Sequence, residues 1–169
     1  MSERLQKLDE RWSARARVEQ EPGLWRTLSG ILAHSGDSWF WILGLVVLWL
    51  AGNAFWKERA LVMLVGIAVT AIIVMIAKFT IRRRRPEGDW GGIYRKTDPH
   101  SFPSGHAARG AALATIALVL EPLWFGIALV VWAPLMAFSR VRMGLHYVTD
   151  ILGGAIFGVV IGFLVARFF

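Results

Sequence analysis

Residues 60–86 read ALVMLVGIAVTAIIVMIAKFTIRRRRP, an apolar run that ends in a cluster of positive charge. The 18 residues from Ala60 to Ala77 carry no charged side chain. A helix that crosses a bilayer needs about 20 predominantly apolar residues, and roughly 17 suffice at the short end of the range. The segment therefore predicts a membrane-spanning helix. That helix ends before Pro86, because proline cannot continue it.

More apolar segments follow the same pattern. They lie at residues 39–51, 107–120, 123–138 and 151–166. Over the whole chain of 169 residues, 56% are hydrophobic, against roughly 45–50% in soluble domains. This composition excludes a disordered chain and an ordinary water-soluble basic domain. We therefore predict an all-α, polytopic membrane helical bundle with about five transmembrane helices, preceded by N-terminal amphipathic helices. Gly154, Gly158 and Gly162 are spaced as in closely packed membrane helices.

The N-terminal 37 residues are polar and carry six positive and six negative charges. Leu5, Leu8 and Trp12 recur at helical spacing, which is typical of an amphipathic helix at a membrane interface. We accordingly divide the chain into an N-terminal amphipathic, interfacial segment at 1–37 and a transmembrane domain at 38–169.

The net charge of +7 arises from 19 Lys and Arg against 12 Asp and Glu. In an apolar chain this surplus predicts anionic partners at the membrane, namely membrane lipids and a lipid substrate, and we expect no nucleic-acid binding. The chain has no cysteine, which excludes disulfides, thiolate metal sites and cysteine nucleophiles. Since the sequence offers no carboxylate cluster suited to Mg²⁺, we expect neither a metal nor another cofactor.

The polar residues at the ends of the apolar segments are expected to meet on one side of the membrane. If five spans alternate in direction, the end of the second, the start of the third, the end of the fourth and the start of the fifth share a face. The residues at these ends are Lys78, Arg85, Ser104, Gly105, His106, Arg140, His146 and Asp150. Ionisable groups at membrane depth are costly and usually functional. Three cations and two histidines would repel one another without an anion between them, so the group predicts a phosphate pocket.

The residue types suggest individual roles. Lys78 and Arg85 are two helical turns apart, so we expect them to share one face at the end of the second span. Ser104 and Gly105 open the third span, where free backbone N–H groups form an anion site. His146 and Asp150 are four residues apart on one predicted helical face. The carboxylate would hold one ring nitrogen and leave the other as a nucleophile.

Three spaced motifs carry a family resemblance. They are Lys78-x6-Arg85-Pro86, then Pro103-Ser104-Gly105-His106, then Ser139-Arg140-x5-His146-x3-Asp150. Complete and in order over residues 78–150, they resemble the signature of the type 2 phosphatidic acid phosphatase (PAP2) superfamily. The resemblance implies a PAP2-like core in the 38–169 domain. It also implies the activity of a membrane lipid phosphatase, a hydrolase of phosphoric esters or diphosphates.

The resemblance further implies a role for each motif residue. His146 would attack phosphorus and form a phosphohistidine, oriented by Asp150. His106 would protonate the leaving oxygen and then deprotonate the hydrolytic water. The phosphoryl oxygens would be held by Lys78, Arg85, Ser104, Gly105 and Arg140. Hydrolysis in this family needs no metal ion. The expected substrates are an isoprenoid phosphate or diphosphate, or a phosphatidate-type glycerolipid.

Residues outside the motifs receive no catalytic role. Arg82 to Arg84 are expected to contact lipid phosphates or water, and His34 and His100 to be non-catalytic. Arg109, three residues after His106, is a candidate lining residue of the site.

Three other functions share these motifs in part. A lipid phosphotransferase would pass the same phosphohistidine to an alcohol, and only product analysis separates it from a hydrolase. A non-catalytic protein that binds lipid phosphates would not need His106, His146 and Asp150. A vanadate-dependent oxidase of the same superfamily would be soluble, unlike this apolar chain.

The distribution of Lys and Arg predicts an orientation. The active-site side carries six cations within residues 1–37 and the group from Arg82 to Lys96, whereas the other side carries Lys57, Arg59 and Arg167. The positive-inside rule therefore predicts a cytoplasmic active site, which we expect in an integral protein of a prokaryotic inner membrane. The oligomeric state is not readable from the sequence.

Overall fold

The computed structural model describes residues 3–18, 23–87, 98–120 and 122–169. Within these ranges the chain folds into seven α-helices and no strand. The helices are α1 (Glu3–Ala16), α2 (Leu24–His34), α3 (Ser38–Ala51), α4 (Ala54–Ile81), α5 (Gly105–Leu120), α6 (Leu123–Arg142) and α7 (Val148–Phe168). The predicted all-α class is confirmed.

Three of these helices, α4, α6 and α7, are each long and apolar enough to cross a membrane. The helices α2 and α3 meet at a bend of 54° and reach spanning length only as a pair, which gives up to four candidate spans among the described residues. Helix α5 is apolar but has only 16 residues. The five predicted apolar segments correspond to α3 to α7, and the polytopic membrane bundle is confirmed. Its helices of full spanning length are fewer than the five expected.

Large apolar side chains cover the outward surface of the bundle as well as its core. Ile76 of α4, Val131 of α6 and Ile156 of α7 are each more than half exposed, while Met63 and Leu113 are buried between the helices. Extensive apolar surface of this kind is rare on soluble monomers. In a bilayer the same side chains contact lipid tails.

Gly154, Gly158 and Gly162 form one face of α7, the glycine face, which packs against α5. This face sets the distance between the two helices. A Cβ atom on Gly162 would come within 2.6 Å of the carbonyl oxygen of Ala112, and one on Gly158 would overlap another α5 carbonyl oxygen. Small residues allow two membrane helices to approach this closely. The first residues of α5 and α7 are therefore neighbours, and the Ser104 N–H donates to the backbone oxygen of Asp150 at 2.9 Å.

Helix α4 ends earlier than the sequence pattern predicts. Its last residue is Ile81, and Arg82 follows with a left-handed backbone at φ 53°. Arg85 lies in the loop beyond, so the prediction that it shares a helix face with Lys78 is wrong. The residue before a proline avoids helical backbone. The loop also pairs with the segment before α5, where the Ser101 N–H donates to the backbone oxygen of Arg83 at 2.8 Å.

Helix α1 packs on the end of the bundle that carries these loops. Its Asp9 and Ser13 are buried, while Leu5 and Trp12 are more than half exposed. The exposed apolar side chains of α1 suit the interfacial location predicted for this helix, whereas α2, in the same predicted segment, reaches spanning length together with α3. The domain boundary at residue 37 stays a prediction.

Candidate active site

The loops at one end of the bundle bring residues of all three motifs together. Arg85, after α4, donates to the backbone oxygen of Leu145 at 2.9 Å, and its Nη1 lies 3.2 Å from Nε2 of His146. Ser104, directly before α5, is tied by its N–H to the backbone of Asp150 in α7. The ends of four apolar segments therefore form one cluster, as alternating spans require.

Lys78 and Arg85 meet through a third residue, Asp98, which precedes α5. Nζ of Lys78 lies 2.6 Å from Oδ2 of Asp98, and Nη2 of Arg85 lies 2.8 Å from the same oxygen. The side chains of both cations are only 4% exposed. Two cations that converge on one carboxylate oxygen form a site that also suits a phosphoryl oxygen. Sequence reasoning did not single out Asp98.

His146 lies in the short loop between α6 and α7, where Gly144 turns the chain with φ 67°. Since α7 begins only at Val148, the predicted helix face shared by His146 and Asp150 is wrong. The two side chains are neighbours nonetheless, with Nδ1 of His146 3.4 Å from Oδ2 of Asp150. This is an ion-pair distance, whereas Nδ1 is buried and makes no hydrogen bond.

The surroundings of His146 determine its charge. The residue is 2% exposed. Burial first, and then the positive charges of Arg85, Arg140 and Lys78, hold the pKa of His146 well below its ordinary value of 6.5. The imidazole is therefore neutral at physiological pH and keeps a lone pair on one ring nitrogen. Nε2 is the nitrogen beside Arg85, so it faces the cations that suit a phosphoryl group.

Asp150 is fully buried and held from two directions. Its Oδ1 accepts a hydrogen bond from Nη1 of Arg83 at 2.7 Å, and its Oδ2 accepts one from the Tyr147 N–H at 2.9 Å. The prediction that Arg83 contacts water or lipid phosphates is therefore wrong. The arginine run contains four identical neighbours, so only the loop conformation after α4 distinguishes Arg83 from Arg82 and Arg84.

His106, the second residue of α5, has a carboxylate partner that the sequence did not reveal. Its Nε2 lies 2.7 Å from Oδ1 of Asp37, in the break between α2 and α3. The other carboxylate oxygen of Asp37 lies 3.1 Å from Nδ1 of His34. Both histidines of the motifs thus have an aspartate neighbour, one from within the motifs and one from outside them.

Three motif residues complete the cluster. Ser104 is buried, and its hydroxyl accepts from the Ala107 N–H at 3.4 Å in the first turn of α5. Gly105 borders the cavity described below. Arg140 is 1% exposed, and its Nη1 donates to the backbone oxygen of Ala33 at 3.4 Å. The structure thus places all eight predicted site residues at the same end of the bundle.

A cavity of about 230 Å³ lies beside this cluster. Its polar end is lined by Lys78, Asp98 and His106, and its wall includes the apolar side chains of Ile67 and Val74 from α4. The cavity therefore joins the positive site to the interior of the bundle. Its lining suits a molecule with an anionic head and an apolar continuation.

The other residues weighed from the sequence lie close by. Arg109 lines the cavity, as the sequence suggested, and donates through Nε to the backbone oxygen of Gly36 at 3.2 Å. His100 accepts a hydrogen bond from Nζ of Lys78 at 2.8 Å through its backbone oxygen. Its ring packs edge-on against Phe79.

Comparison with known proteins identifies the family. The sequence pattern of the PAP2 superfamily matches residues 59–169. Phosphatidylglycerophosphatase B of Bacillus subtilis (strain 168) is 33% identical over an alignment of 177 positions, which covers 97% of this chain and 84% of that protein. Undecaprenyl-diphosphatase BcrC of the same organism is 34% identical over 128 residues, which cover 73% of this chain and 65% of that protein.

A solved structure has the same fold. The crystal structure of a transmembrane PAP2-type phosphatidylglycerolphosphate phosphatase from Bacillus subtilis matches with a TM-score of 0.79 and 28% identity, over 99% of this chain and 87% of that one. The family pattern covers well over half of the chain and contains all three motifs. The chain therefore belongs to the PAP2 superfamily and is one of its membrane phosphatases.

Proposed function

We propose that this protein hydrolyses a phosphomonoester or diphosphate of a lipid through a phosphohistidine at His146, without a metal ion. The observation that carries the proposal is the setting of His146. Its Nε2 lies 3.2 Å from Arg85 of the phosphate-binding pair, and its Nδ1 lies toward Asp150. This is the arrangement of a histidine nucleophile with an orienting carboxylate.

The first chemical step transfers the phosphoryl group to the enzyme. Nε2 of His146 forms a bond to phosphorus while the bond from phosphorus to the leaving oxygen breaks. That oxygen belongs to the lipid alcohol of a monoester or to the lipid monophosphate of a diphosphate, and the protonated ring of His106 gives it a proton. Lys78, Arg85 and Arg140 stabilise the charge on the phosphoryl oxygens, together with Ser104 and the Gly105 N–H. Positive side chains supply here the electrostatic stabilisation that a metal supplies in many other phosphoryl-transfer enzymes.

The second step releases phosphate. His106, now neutral, takes a proton from a water molecule, the water oxygen bonds to phosphorus, and the N–P bond of the phosphohistidine breaks. Inorganic phosphate leaves, and both histidines return to their starting protonation states. A phosphotransferase would use an alcohol in place of this water, so product analysis distinguishes the two outcomes.

The proposed substrate is a lipid with a terminal phosphate or diphosphate. The named relatives are a phosphatidylglycerophosphatase and an undecaprenyl-diphosphatase, so both glycerolipid and isoprenoid substrates are candidates. The apolar wall of the cavity supports a tail that enters from the bilayer while the head meets Lys78 and Arg85. Equal turnover of a short, water-soluble phosphate ester and of its long-chain analogue would contradict this route.

A phosphate-release panel tests the proposal. Purified protein in detergent is assayed on isoprenoid and glycerolipid phosphates, with and without EDTA. We expect release that EDTA does not change, and no release or acid-labile phosphoenzyme with His146→Ala. Arg85→Gln should lower the rate by about 10²–10³, as does loss of one electrostatic donor elsewhere. Near-full activity of His146→Ala would show that the nucleophile is misassigned, and binding of lipid phosphates without any turnover would favour a non-catalytic protein.

We also propose that the site faces the cytoplasm of a prokaryotic cell, across its inner membrane. The excess of Lys and Arg on the active-site side supports this orientation. Because the chain has no cysteine of its own, Glu87→Cys and Lys57→Cys give clean labels for the two sides. A membrane-impermeant thiol reagent applied to intact cells should label Lys57→Cys and spare Glu87→Cys. The opposite result would place the active site outside.

A further inference from the structure

The first turn of α7 receives its capping groups from α1. The Val148 N–H donates to Oγ of Ser13 at 3.0 Å, and the Thr149 N–H donates to Oδ1 of Asp9 at 3.1 Å. The first N–H groups of a helix have no partner within that helix and need one from elsewhere. Two of them are satisfied here by a helix that lies more than 130 positions earlier in the chain.

Arg83 joins the same α1 residue to the proposed catalytic carboxylate. Its Nη2 lies 2.7 Å from Oδ2 of Asp9, and its Nη1 lies 2.7 Å from Oδ1 of Asp150. The same Nη1 donates to Oγ1 of Thr149 at 2.7 Å. The guanidinium also stacks over the ring of Tyr147, 4.1 Å from its centroid. Arg83 is thus fixed in its plane and bridges two carboxylates.

The burial of these groups shows that the contact is specific. Asp9 is 1% exposed and Asp150 is fully buried. A buried charge is costly unless it is paired and hydrogen-bonded. A helix that merely rests on a membrane surface would keep its aspartate in water, whereas α1 turns Asp9 inward and pairs it.

The network constrains the carboxylate of Asp150 in two ways. Arg83 donates to Oδ1 and the Tyr147 N–H donates to Oδ2, so the orientation of the carboxylate is fixed. In this orientation Oδ2 is the oxygen that lies 3.4 Å from Nδ1 of His146. In addition, the guanidinium of Arg83 divides its positive charge between Asp150 and Asp9. A lone Arg83–Asp150 pair would offset more of the negative charge that Asp150 directs toward His146.

We propose that α1 is a working part of the catalytic site, in which Asp9 and Arg83 are positioning residues that set the orientation and effective charge of Asp150 toward His146. This inference rests on the proposed phosphohistidine function. Neither residue touches the reacting phosphorus, and both act through Asp150. The role of residues 3–16 is thereby catalytic support in addition to contact with the membrane interface.

The test compares two isosteric charge removals on α1. Asp9→Asn keeps an acceptor for the Thr149 N–H but loses the ion pair with Arg83. Glu10→Gln, its exposed neighbour, is the matched control. We measure kcat on a lipid phosphate that the wild-type protein hydrolyses, the inhibition constant of inorganic phosphate, and the His146 ring pKa by histidine NMR. Since outer partners of active-site ligands typically contribute 10–100-fold, we expect kcat of Asp9→Asn to fall by about tenfold or more.

The three measurements distinguish a positioning role of Asp9 from a general disruption of the active site. The cations that bind phosphate are untouched, so the inhibition constant of inorganic phosphate should stay within about twofold while the His146 pKa shifts. Arg83→Lys keeps the charge but cannot bridge both carboxylates as a guanidinium does, and its kcat should lie between wild type and Arg83→Gln. Unchanged kcat in Asp9→Asn, or a parallel loss of kcat and phosphate binding, would overturn the inference. A wild-type protein that hydrolyses no lipid phosphate would instead refute the proposed function, and the His146 pKa comparison would still test the contact.

Discussion

Nε2 of His106 lies 2.7 Å from Oδ1 of Asp37, although the two residues are 69 positions apart. His106 is the second residue of α5, and Asp37 lies in the break between α2 and α3. The contact gives the proposed acid–base histidine a carboxylate of its own, as Asp150 does for His146. The bend between α2 and α3 is therefore adjacent to the proposed chemistry, since it carries Asp37.

Loss of the Asp37 carboxylate should impair proton transfer to the leaving group. A hydrogen-bonded carboxylate fixes the orientation and proton position of a histidine. We expect Asp37→Asn to lower kcat on an alkyl lipid phosphate by about tenfold or more, within the range that general acid–base catalysis supplies. The fall should be much smaller on p-nitrophenyl phosphate, whose leaving group needs no proton. Parallel rate measurements on the two substrates check this prediction.

Glu58→Gln is the control for Asp37→Asn, since Glu58 is an exposed carboxylate at the start of α4. It should leave both rates unchanged. Equal losses on the two substrates in Asp37→Asn would mean that Asp37 does not act through His106.

Removal of the Asp98 carboxylate should strengthen phosphate binding. Oδ2 of Asp98 contacts both Lys78 and Arg85, so an incoming phosphate must displace or share this oxygen. We expect Asp98→Asn to lower the inhibition constant of inorganic phosphate by about tenfold, which corresponds to ~1.4 kcal/mol. Competition assays or calorimetry with inorganic phosphate give this constant. If Asp98→Asn weakens phosphate binding, Asp98 supports the two cations rather than competing for them.

The low pKa of His146 affects how the stability of the folded protein depends on pH. Its folded-state pKa lies well below 6.5, so the ring stays neutral as the pH falls through 6.5, whereas the ring of the unfolded chain becomes protonated there. Below that pH the unfolded state binds more protons, and His146 therefore makes the folded protein less stable as the solution becomes more acidic. Histidine NMR titration, assigned with His146→Gln, should place the His146 midpoint below 6.5.

Two variants give a further check on the His146 pKa. Arg85→Gln removes a nearby positive charge and should raise the midpoint, while Lys57→Gln, at the other end of α4, should leave it unchanged. A His146 midpoint at or above 6.5 in the wild-type protein would contradict the burial and charge that the structure assigns to this ring.

A methyl group on the glycine face of α7 should destabilise the packing of α7 against α5. A Cβ atom at Gly158 would overlap an α5 carbonyl oxygen, whereas one at Gly44 of α3 meets no atom within 4 Å. We expect Gly158→Ala to cost about 1–3 kcal/mol of stability, the range for overpacking, and Gly44→Ala to cost none. Thermal unfolding in detergent compares the two. Equal midpoints would show that α5 and α7 are not held as closely as described.

The membrane bundle and the residues of the candidate site could be predicted from local features of the chain. The apolar segments are long enough to be recognised by composition, and alternating spans bring their polar ends to one side. The two helix-face arguments failed for a common reason. They assumed that helices continue through Arg85 and His146, whereas α4 ends at Ile81 and α7 begins at Val148.

The partners of those site residues could not be read from any local pattern. Asp37 lies 69 positions from His106, and Asp9 lies 74 positions from Arg83. Asp98 lies 20 positions from Lys78 and 13 from Arg85. In the sequence each aspartate looks like any solvated charge. Hydrophobicity and motif spacing specify where helices form and which groups are polar. Only the packing of the helices and the paths of their loops bring particular charges within hydrogen-bond distance and remove them from water.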